Sequence, residues 1–291
     1  MNELRSKALA FHALHHGTAP LALANAWDAA SARIAEDAGA LAVATTSAGV
    51  SWSLGVADGG RLSRRRALDH IARVTSAVRV PVTADIESGY ADGPDAVAET
   101  VRGVLDAGAV GVNIEDAAHD RPGTLRPVKE QAAYLAAARA AADAAGIALF
   151  VNARIDTFLR PDGDPAGRLG RTLERAAAYA DAGADGIFVP GLLDPAEVAE
   201  LAERVSVPLN VLAGPGAPSV AELGRLGAAR VSLGSAVAEA AYAVARRAAR
   251  ELFATGTYAA LAEPLAYQEL NALLAGRDGA ERDTDQTTQN S

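Results

Sequence analysis

Val80-Pro81-Val82-Thr83-Ala84-Asp85-Ile86-Glu87 and Val110-Gly111-Val112-Asn113-Ile114-Glu115-Asp116 are two short apolar segments that end in acidic residues. Near-continuous apolar runs are typical of buried strands in a parallel sheet, where the carboxyl ends of the strands meet at one edge. Carboxylates that gather at such an edge repel one another unless a cation lies among them. The two segments therefore predict a divalent-metal site at one rim of a parallel barrel.

Strand-like and helical patterns alternate along the chain. The apolar segments that predict strands are 21–25, 41–46, 80–85, 110–115, 147–153, 186–190, 207–212 and 229–233. Helical patterns follow them at 28–37, 61–78, 93–107, 129–145, 165–182, 194–204, 218–227 and 235–253. Eight such pairs predict an α/β fold of the (β/α)8 TIM-barrel type. A doubly wound open sheet would need a glycine-rich turn where this chain reads Asn25-Ala26-Trp27-Asp28.

One further helical pattern, at 257–275, follows the eighth pair. We expect a single barrel domain over residues 1–275 that includes this C-terminal extension. The extra helix has no place in the ring of the barrel, so we expect it to pack on a neighbouring subunit. Residues 276–291 are polar and repetitive, which predicts a disordered tail.

The acidic composition limits the possible partners of the protein. Lys and Arg number 27 against 36 Asp and Glu, and the formal charge of −9 argues against nucleic acid or an anionic membrane as a partner. The chain contains no Cys, which excludes disulfides, thiolate metal sites and thiol catalysis. No apolar run reaches the length of a membrane span and no signal peptide is apparent, so we expect a cytoplasmic protein.

The ends of the predicted strands carry the residues that could do chemistry, because active sites of such barrels lie at that rim. The second strand ends in small residues, 45–49, which let backbone N–H groups approach an anion. Asp58 follows in the next loop, and Arg154 and Asp156 end the fifth strand. Several carboxylates and one arginine on a rim are expected where Mg²⁺ bridges to a carboxylate or enolate substrate and the arginine binds a second carboxylate.

Each of these residues also has a purely structural interpretation. An acidic residue that follows a strand often caps the next helix, and this interpretation applies to Asp116 and Asp156. Arg154 would then only neutralise the acids around it. Asp58 would belong to an ordinary turn beside Gly59-Gly60.

Five motifs, in this order, resemble those of the isocitrate lyase/phosphoenolpyruvate mutase superfamily. They are Thr45-Thr46-Ser47-Ala48-Gly49, Ser53-Leu54-Gly55-Val56-Ala57-Asp58, Asp85-Ile86-Glu87-Ser88-Gly89-Tyr90, Asn113-Ile114-Glu115-Asp116 and Ala153-Arg154. The resemblance implies a Mg²⁺-dependent barrel, with Mn²⁺ as a possible substitute, that breaks or rearranges the C–C or P–C bond of small 2-oxo or 2-hydroxy acids. It also implies a homotetramer built from dimers that exchange a C-terminal helix.

The resemblance assigns the metal site to three acidic residues. Asp85 resembles the principal metal-binding aspartate, and Glu87 stands where many members have a second aspartate. Glu115 matches the acid of the fourth strand, which usually acts through water on the metal. Asp58 resembles a loop aspartate close to the metal and the reacting group, so it is a candidate catalytic residue.

The same resemblance assigns the binding of a small anionic organic acid. Thr46, Ser47 and Ala48 occupy the segment that holds the oxo-acid end of the substrate through backbone and hydroxyl groups. Arg154 resembles the arginine that binds the substrate carboxylate, and it counts as both a binding and a catalytic candidate.

The loop after the fourth strand departs from the superfamily pattern. The lyases acting on isocitrate or methylisocitrate carry a Lys-Lys/Arg-Cys-Gly-His loop there. The corresponding loop of this chain, residues 117–126, contains no cysteine. His119 is the histidine nearest the predicted rim and is a candidate proton donor, although a solvated loop histidine is the alternative. Arg121 lies about where the mutases place a lysine, so it is a further catalytic candidate. The Pro and Gly residues of this loop favour a mobile lid.

The absence of a cysteine in this loop favours one of the reaction classes found in the superfamily. A Mg²⁺-dependent lyase or decarboxylase that cleaves a C–C bond of a small 2-oxo or 2-hydroxy di- or tricarboxylic acid, through a metal-stabilised enolate, fits the residues that remain. Phosphoenolpyruvate or carboxyphosphonoenolpyruvate mutase or phosphonopyruvate hydrolase chemistry is the alternative, because it uses nearly the same metal site. A non-catalytic metabolite binder is the alternative from a different class.

Overall fold

The computed structural model describes residues 2–90, 92–118, 121, 123–160 and 163–275. His119 and the predicted tail 276–291 lie outside these residues. In the described part of the chain, nine strands form one parallel sheet: β1 Leu21–Leu23, β2 Asn25–Ala26, β3 Val43–Thr45, β4 Val82–Asp85, β5 Gly111–Glu115, β6 Phe150–Arg154, β7 Gly186–Val189, β8 Leu209–Leu212 and β9 Ala228–Ser232. The sheet order is β1-β9-β8-β7-β6-β5-β4-β3-β2.

The two outer strands of this order are two halves of one barrel strand. β1 pairs with β9 and β2 pairs with β3, and Ala24 alone separates β1 from β2. The side chain of Asn25 bridges the gap, since its Nδ2 donates to Thr45 O at 3.1 Å and its Oδ1 accepts from Gly234 N at 2.9 Å. The sheet thus curves into a nearly closed barrel, and the predicted (β/α)8 fold is confirmed.

Helices surround the sheet and follow the strands in the order that the pattern predicts. Among the described residues they are α1 Asn2–Leu14, α2 Ala29–Asp37, α3 Ser47–Ser53, α4 Arg64–Ala77, α5 Pro94–Asp106, α6 Val128–Ala145, α7 Arg168–Asp181, α8 Pro195–Arg204, α9 Val220–Arg225, α10 Ala236–Thr255 and α11 Tyr267–Ala275. The sequence pattern did not predict α1 and α3. No helix in these ranges has both the length and the apolar character needed to cross a membrane.

The C-terminal extension is less helical than predicted. The pattern predicts a helix over 257–275, but the structure has a 3-10 turn at Ala259–Leu261 and a regular helix only in α11. Gly256 ends α10 in the left-handed conformation, with a φ of 68°. Pro264 then lacks a backbone donor and disfavours helical backbone in the residue before it, which explains why the helix starts late.

The helix α1 closes the amino-terminal end of the barrel. Phe11 packs edge-on against Phe150 at the start of β6, and His15 stacks on the same ring at a centroid distance of 3.8 Å. Burial, followed by the positive charge of Arg230, lowers the pKa of His15 to about 3, so its ring is neutral. Since this end is filled, the carboxyl ends of the strands form the accessible rim.

Candidate active site

A cavity of about 180 Å³ opens at the carboxyl ends of the strands. Six of the residues singled out from the sequence line it: Thr46, Ser47, Ala48, Asp58, Asp85 and Arg154. They come from the end of β3, the start of α3, the loop before α4, and the last residues of β4 and β6. Parallel strands bring these distant segments together because their carboxyl ends share one rim.

Asp85 is fixed in the cavity by the strand beside it and by the first residue of α3. Its backbone N–H donates to Thr45 Oγ1 at 2.9 Å, and its carboxylate accepts from Ser47 N at 3.1 Å. Burial raises the pKa of Asp85, the charge of Glu115 adds to this, and Arg154 opposes it. A group whose charged form is disfavoured in this way gains most from a nearby cation.

Glu87 lies behind Asp85 in an unusual backbone conformation. Its φ is +50°, in the left-handed region that residues other than glycine rarely adopt. Its carboxylate accepts a hydrogen bond from Gly60 N and is buried. Burial raises the pKa of Glu87 to about 7, with further contributions from the charges of Asp85 and Glu115. Strain and a disfavoured charge at one residue indicate a local function other than stability.

Arg154 is held from two sides by carboxylates. Its Nε and Nη2 form a fork onto Asp156 at 2.6 and 3.1 Å, and its Nη1 contacts Glu115 Oε2 at 2.9 Å. Burial acts to lower the pKa of Arg154, but the charges of Glu115, Asp156 and Asp85 hold it above its ordinary value. The guanidinium is therefore a permanent cation in a defined orientation at the cavity wall.

Asp85, Glu87 and Glu115, which we call the site acids, fit a magnesium ion held largely through water. Within the described ranges, no three His, Asp or Glu side chains form a ready-made ligand set. Asp85 lines the cavity, whereas the side chains of Glu87 and Glu115 are buried and do not line it. Mg²⁺ prefers oxygen ligands, keeps several waters and usually binds proteins through one or two carboxylates. The donor set therefore suits this ion, and Asp85 is the acid that would contact it at the cavity.

Asp116 and Asp156, which we call the network acids, have a different environment. Asp116 Oδ2 accepts from Arg175 Nη1 at 3.1 Å and from the Tyr179 hydroxyl at 3.0 Å. Its Oδ1 accepts from Asp156 N at 2.9 Å. Pro127 is the N-cap of the following helix, so Asp116 does not have the capping role that its position allowed. Burial, the largest effect, raises the pKa of Asp116 to about 6.

The loop between β5 and α6 forms a short hairpin where the structure describes it. Ala117 pairs with Leu125 in an antiparallel bridge, and Ala118 N donates to Thr124 O at 3.1 Å. Arg121 is exposed in the turn between them. His119 is not among the described residues, so its predicted role as a proton donor stays a prediction.

Residues 11–253 match the family model for phosphoenolpyruvate phosphomutase. This match covers most of the barrel and all of the cavity residues. The chain belongs to the isocitrate lyase/phosphoenolpyruvate mutase superfamily. The resemblance drawn from the five sequence motifs is thereby confirmed.

Relatives within the superfamily carry different names. An uncharacterised protein of Mycobacterium tuberculosis is 40% identical, over 91% of this chain and 96% of its own length. The 2-methylisocitrate lyase of Escherichia coli is 31% identical, over 71% of this chain and 69% of its own. An oxaloacetate decarboxylase of Bradyrhizobium is 33% identical, over 70% of this chain and 69% of its own.

A solved structure from Burkholderia cenocepacia J2315, of a candidate lyase/mutase, has 38% identity and a TM-score of 0.88. The match covers 94% of this chain and 98% of that structure. Lyases and mutases of this superfamily act on small 2-oxo or related acids. The relatives support an enzyme of this general type.

Proposed function

We propose that this protein is a Mg²⁺-dependent lyase or decarboxylase that cleaves a C–C bond of a small 2-oxo or 2-hydroxy acid. The observation that carries the proposal is one cavity lined by both Asp85 and Arg154. The first residue fits a magnesium ion and the second fits a carboxylate, which together match the two ends of such a substrate. Mn²⁺ is the expected substitute for Mg²⁺.

The size and lining of the cavity support a small substrate with few negative groups. The volume of about 180 Å³ is below the range of roughly 300–1,000 Å³ of sites for drug-sized ligands. Arg154 is the one cationic side chain among the described residues that line it, and Phe188 and Leu212 supply apolar wall. These features favour a dicarboxylic acid over a tricarboxylic acid, which would need a further cation.

The residues of the site have separate tasks in the proposed reaction. Arg154 binds and orients a carboxylate of the substrate, and the segment Thr46, Ser47 and Ala48 holds its oxo or hydroxyl end. Bound Mg²⁺ would supply positive charge that stabilises the enolate oxygen. When the C–C bond to a carboxylate breaks, CO₂ departs and the electron pair remains on the substrate as an enolate, which then takes up a proton.

This chain lacks the cysteine that serves as proton donor in the lyases with a cysteine loop. The chain has no Cys, so the proton must come from another group or from water. We propose His119, Arg121 and Asp58 as the groups that act on this step. CO₂ departs without taking up a proton, so only the enolate that remains must be protonated. A decarboxylase can therefore work without the cysteine that protonates the departing group in the lyases.

A substrate panel tests the proposal. Purified protein would be assayed for pyruvate formation from oxaloacetate, dimethylmalate, methylisocitrate and phosphonopyruvate, with Mg²⁺ and after chelation with EDTA. We expect turnover of a C–C substrate that stops with EDTA and returns with Mg²⁺ or Mn²⁺. Release of phosphate from phosphonopyruvate alone would favour P–C chemistry. Binding of these acids without any turnover would favour a metabolite binder.

We also propose the homotetramer of helix-exchanged dimers, located in the cytoplasm, with α10 as the exchanged helix. The segment expected to pack on a neighbouring subunit, 257–275, contacts its own chain, since Arg33 of α2 donates from Nε and Nη2 to Leu273 O at 3.1 and 2.9 Å. Ala238 is the one buried residue of α10, whereas Leu252 and Phe253 are 48% and 85% exposed. An apolar groove between α2 and α9, lined by Val220 and Val231 among others, lies where the eighth helix of a barrel normally packs. Light scattering coupled to size-exclusion chromatography tests this proposal, and Phe253→Glu should shift a tetramer to smaller species.

A further inference from the structure

Arg230 is a fully buried cation that the proposed reaction does not use. It lies on β9, two residues before Ser232, so both side chains point to the same face of the strand. Ser232 lines the cavity, which places Arg230 inside the barrel below it. The side chain of Arg230 is 0% exposed. Branched apolar residues normally fill this layer of a barrel, so an arginine there is exceptional.

The guanidinium of Arg230 is poorly satisfied by the protein. Its Nε donates to Ser232 Oγ at 3.2 Å, but its Nη1 and Nη2 have no hydrogen-bond partner among the described residues. Burial lowers the pKa of Arg230 to about 9, and the charge of Asp85 opposes this, so the group stays protonated at neutral pH. A buried charge with unsatisfied donors destabilises a fold.

Arg175 shows how the same chain satisfies a buried arginine that has a structural role. Its Nη1 donates to Asp116 Oδ2, to the backbone oxygen of Arg126 at 2.9 Å and to the Tyr179 hydroxyl at 2.9 Å. Arg230 has no carboxylate in direct contact among the described residues, and Asp85, above it at the cavity, is the one acidic residue whose charge stabilises its protonated form. The position of Arg230 is therefore explained better by the cavity than by the stability of the barrel.

Ser232 connects Arg230 to the cavity. Its hydroxyl donates to Asn210 Oδ1 at 3.2 Å while it accepts from Arg230 Nε. With one partner on each side, the direction of the hydroxyl proton is fixed. A lone pair of Ser232 Oγ thus keeps a constant orientation at the cavity floor.

We propose that Arg230 is a positioning residue of the candidate active site, which orients Ser232 and places a fixed positive charge beneath Asp85 and the other site acids. This inference rests on the proposed function. The charge of Arg230 offsets part of the negative potential of the site acids. Compared with a site that has an uncharged residue at position 230, the metal affinity is lower and the affinity for an anionic substrate is higher. The fold keeps this arginine although an uncharged residue of similar size would make the barrel more stable.

Three variants test the inference. Arg230→Met removes the charge and keeps most of the volume, Arg230→Lys keeps the charge and removes the Nε contact to Ser232, and Arg175→Met is the structural control. Each is compared with wild type in thermal unfolding, in calorimetric titration with Mn²⁺, and in kcat/KM on the best substrate of the panel.

We expect Arg230→Met to unfold at or above the wild-type temperature, whereas Arg175→Met unfolds at a lower temperature. We expect Arg230→Met to bind Mn²⁺ about tenfold more tightly, because a positive charge near the metal is removed. Its kcat/KM should fall about 10- to 100-fold, mainly through KM for the anionic substrate. Arg230→Lys should keep the wild-type Mn²⁺ affinity and show a smaller loss of kcat/KM.

Two results would overturn the inference. One is an Arg230→Met variant that is destabilised as much as Arg175→Met, which would make Arg230 structural. The other is unchanged Mn²⁺ affinity in that variant. The wild-type protein distinguishes a failure of this inference from a failure of the proposed function. If wild type binds Mn²⁺ but turns over no substrate, the proposed reaction is wrong, and the difference in Mn²⁺ affinity between wild type and Arg230→Met still tests the role of Arg230. Wild type that binds no divalent metal removes both.

Discussion

Glu115 and Asp116 are neighbours in sequence but belong to two different groups of acids. Successive side chains of a strand point to opposite faces, so Glu115 faces the interior of the barrel and Asp116 faces α7 outside it. Asp116 receives hydrogen bonds from Arg175, Tyr179 and the backbone of Asp156. Glu115, by contrast, shares Arg154 with Asp156.

This difference shows how to tell a functional carboxylate from a structural one at the same rim. Where an acid is structural, the protein supplies the cation and the donors that satisfy it. Where acids are functional, they outnumber the nearby cations, and their protonated forms are favoured until another cation binds. The two groups should therefore respond in opposite ways to mutation and to metal.

The largest expected effect is that of Asp85→Asn on activity. We expect kcat/KM to fall by about 10³-fold or more, because the proposed direct contact to the metal would be lost. The thermal stability of the metal-free protein should stay the same or rise, since one of several like charges is removed. Asp181→Asn, at an exposed acid at the end of α7, is the matched control. Activity of Asp85→Asn within tenfold of wild type would remove the metal assignment.

Asp116→Asn should show the reverse pattern. Loss of the charge opposite Arg175 leaves a buried cation without its carboxylate, and we expect a loss of about 3 kcal/mol in the free energy of unfolding. Urea denaturation measures this loss directly. The folded variant should keep activity within about tenfold of wild type, because Asp116 does not line the cavity. Unchanged stability would mean that the network acids do not brace the barrel.

In the metal-free protein, the pH dependence of stability above about pH 6 should report mainly on Glu87, because Asp116, with a folded-state pKa of about 6, is mostly ionised there. The folded-state pKa of Glu87 is about 7, above its ordinary 4.5. The folded state therefore binds more protons than the unfolded chain between these values, so stability is full at low pH and falls as pH rises toward 7. We expect a loss of about 2 kcal/mol across this range.

Unfolding temperatures measured across this pH range, with and without Mg²⁺, test the Glu87 prediction. Mg²⁺ should reduce the slope, because a bound cation favours the ionised carboxylate, and it should raise stability at neutral pH by mass action. Glu87→Gln should remove most of the slope between about pH 6 and 7 without metal, whereas the slope at lower pH, to which Asp116 contributes, should remain. A slope between about pH 6 and 7 that persists in Glu87→Gln would assign the titration to another group.

The barrel and most of the cavity were predictable from the sequence because they depend on local patterns. Short apolar runs marked the strands, and the rule that strand ends share a rim brought Asp58, Asp85 and Arg154 together. The helix α3 was missed because Ser47–Ser53 contains serine and glycine, which are weak helix formers. The split of the first strand at Ala24 leaves no local signal at all.

The supporting residues were not predictable, because tertiary contacts alone reveal them. Arg175 and Tyr179 lie 59 and 63 residues from Asp116 in the sequence, on a helix whose pattern indicates only an amphipathic surface. Arg230 falls within a predicted strand, where an arginine suggests an exposed position instead of the barrel interior. In both cases the charged partner of the arginine is determined by the tertiary fold, and no sequence motif indicates it.

The smallest expected effect is that of Tyr179→Phe, which removes one hydroxyl from the network. That hydroxyl donates to Asp116 Oδ2 at 3.0 Å and accepts from Arg175 Nη1 at 2.9 Å. Because the ion pair itself remains, we expect a loss of only about 1–2 kcal/mol, or roughly 2–8 °C in unfolding temperature for a domain of this size. The kcat/KM and Mn²⁺ affinity should not change. A change in metal affinity would show that the network acids and the site acids are coupled, and the distinction between them would no longer hold.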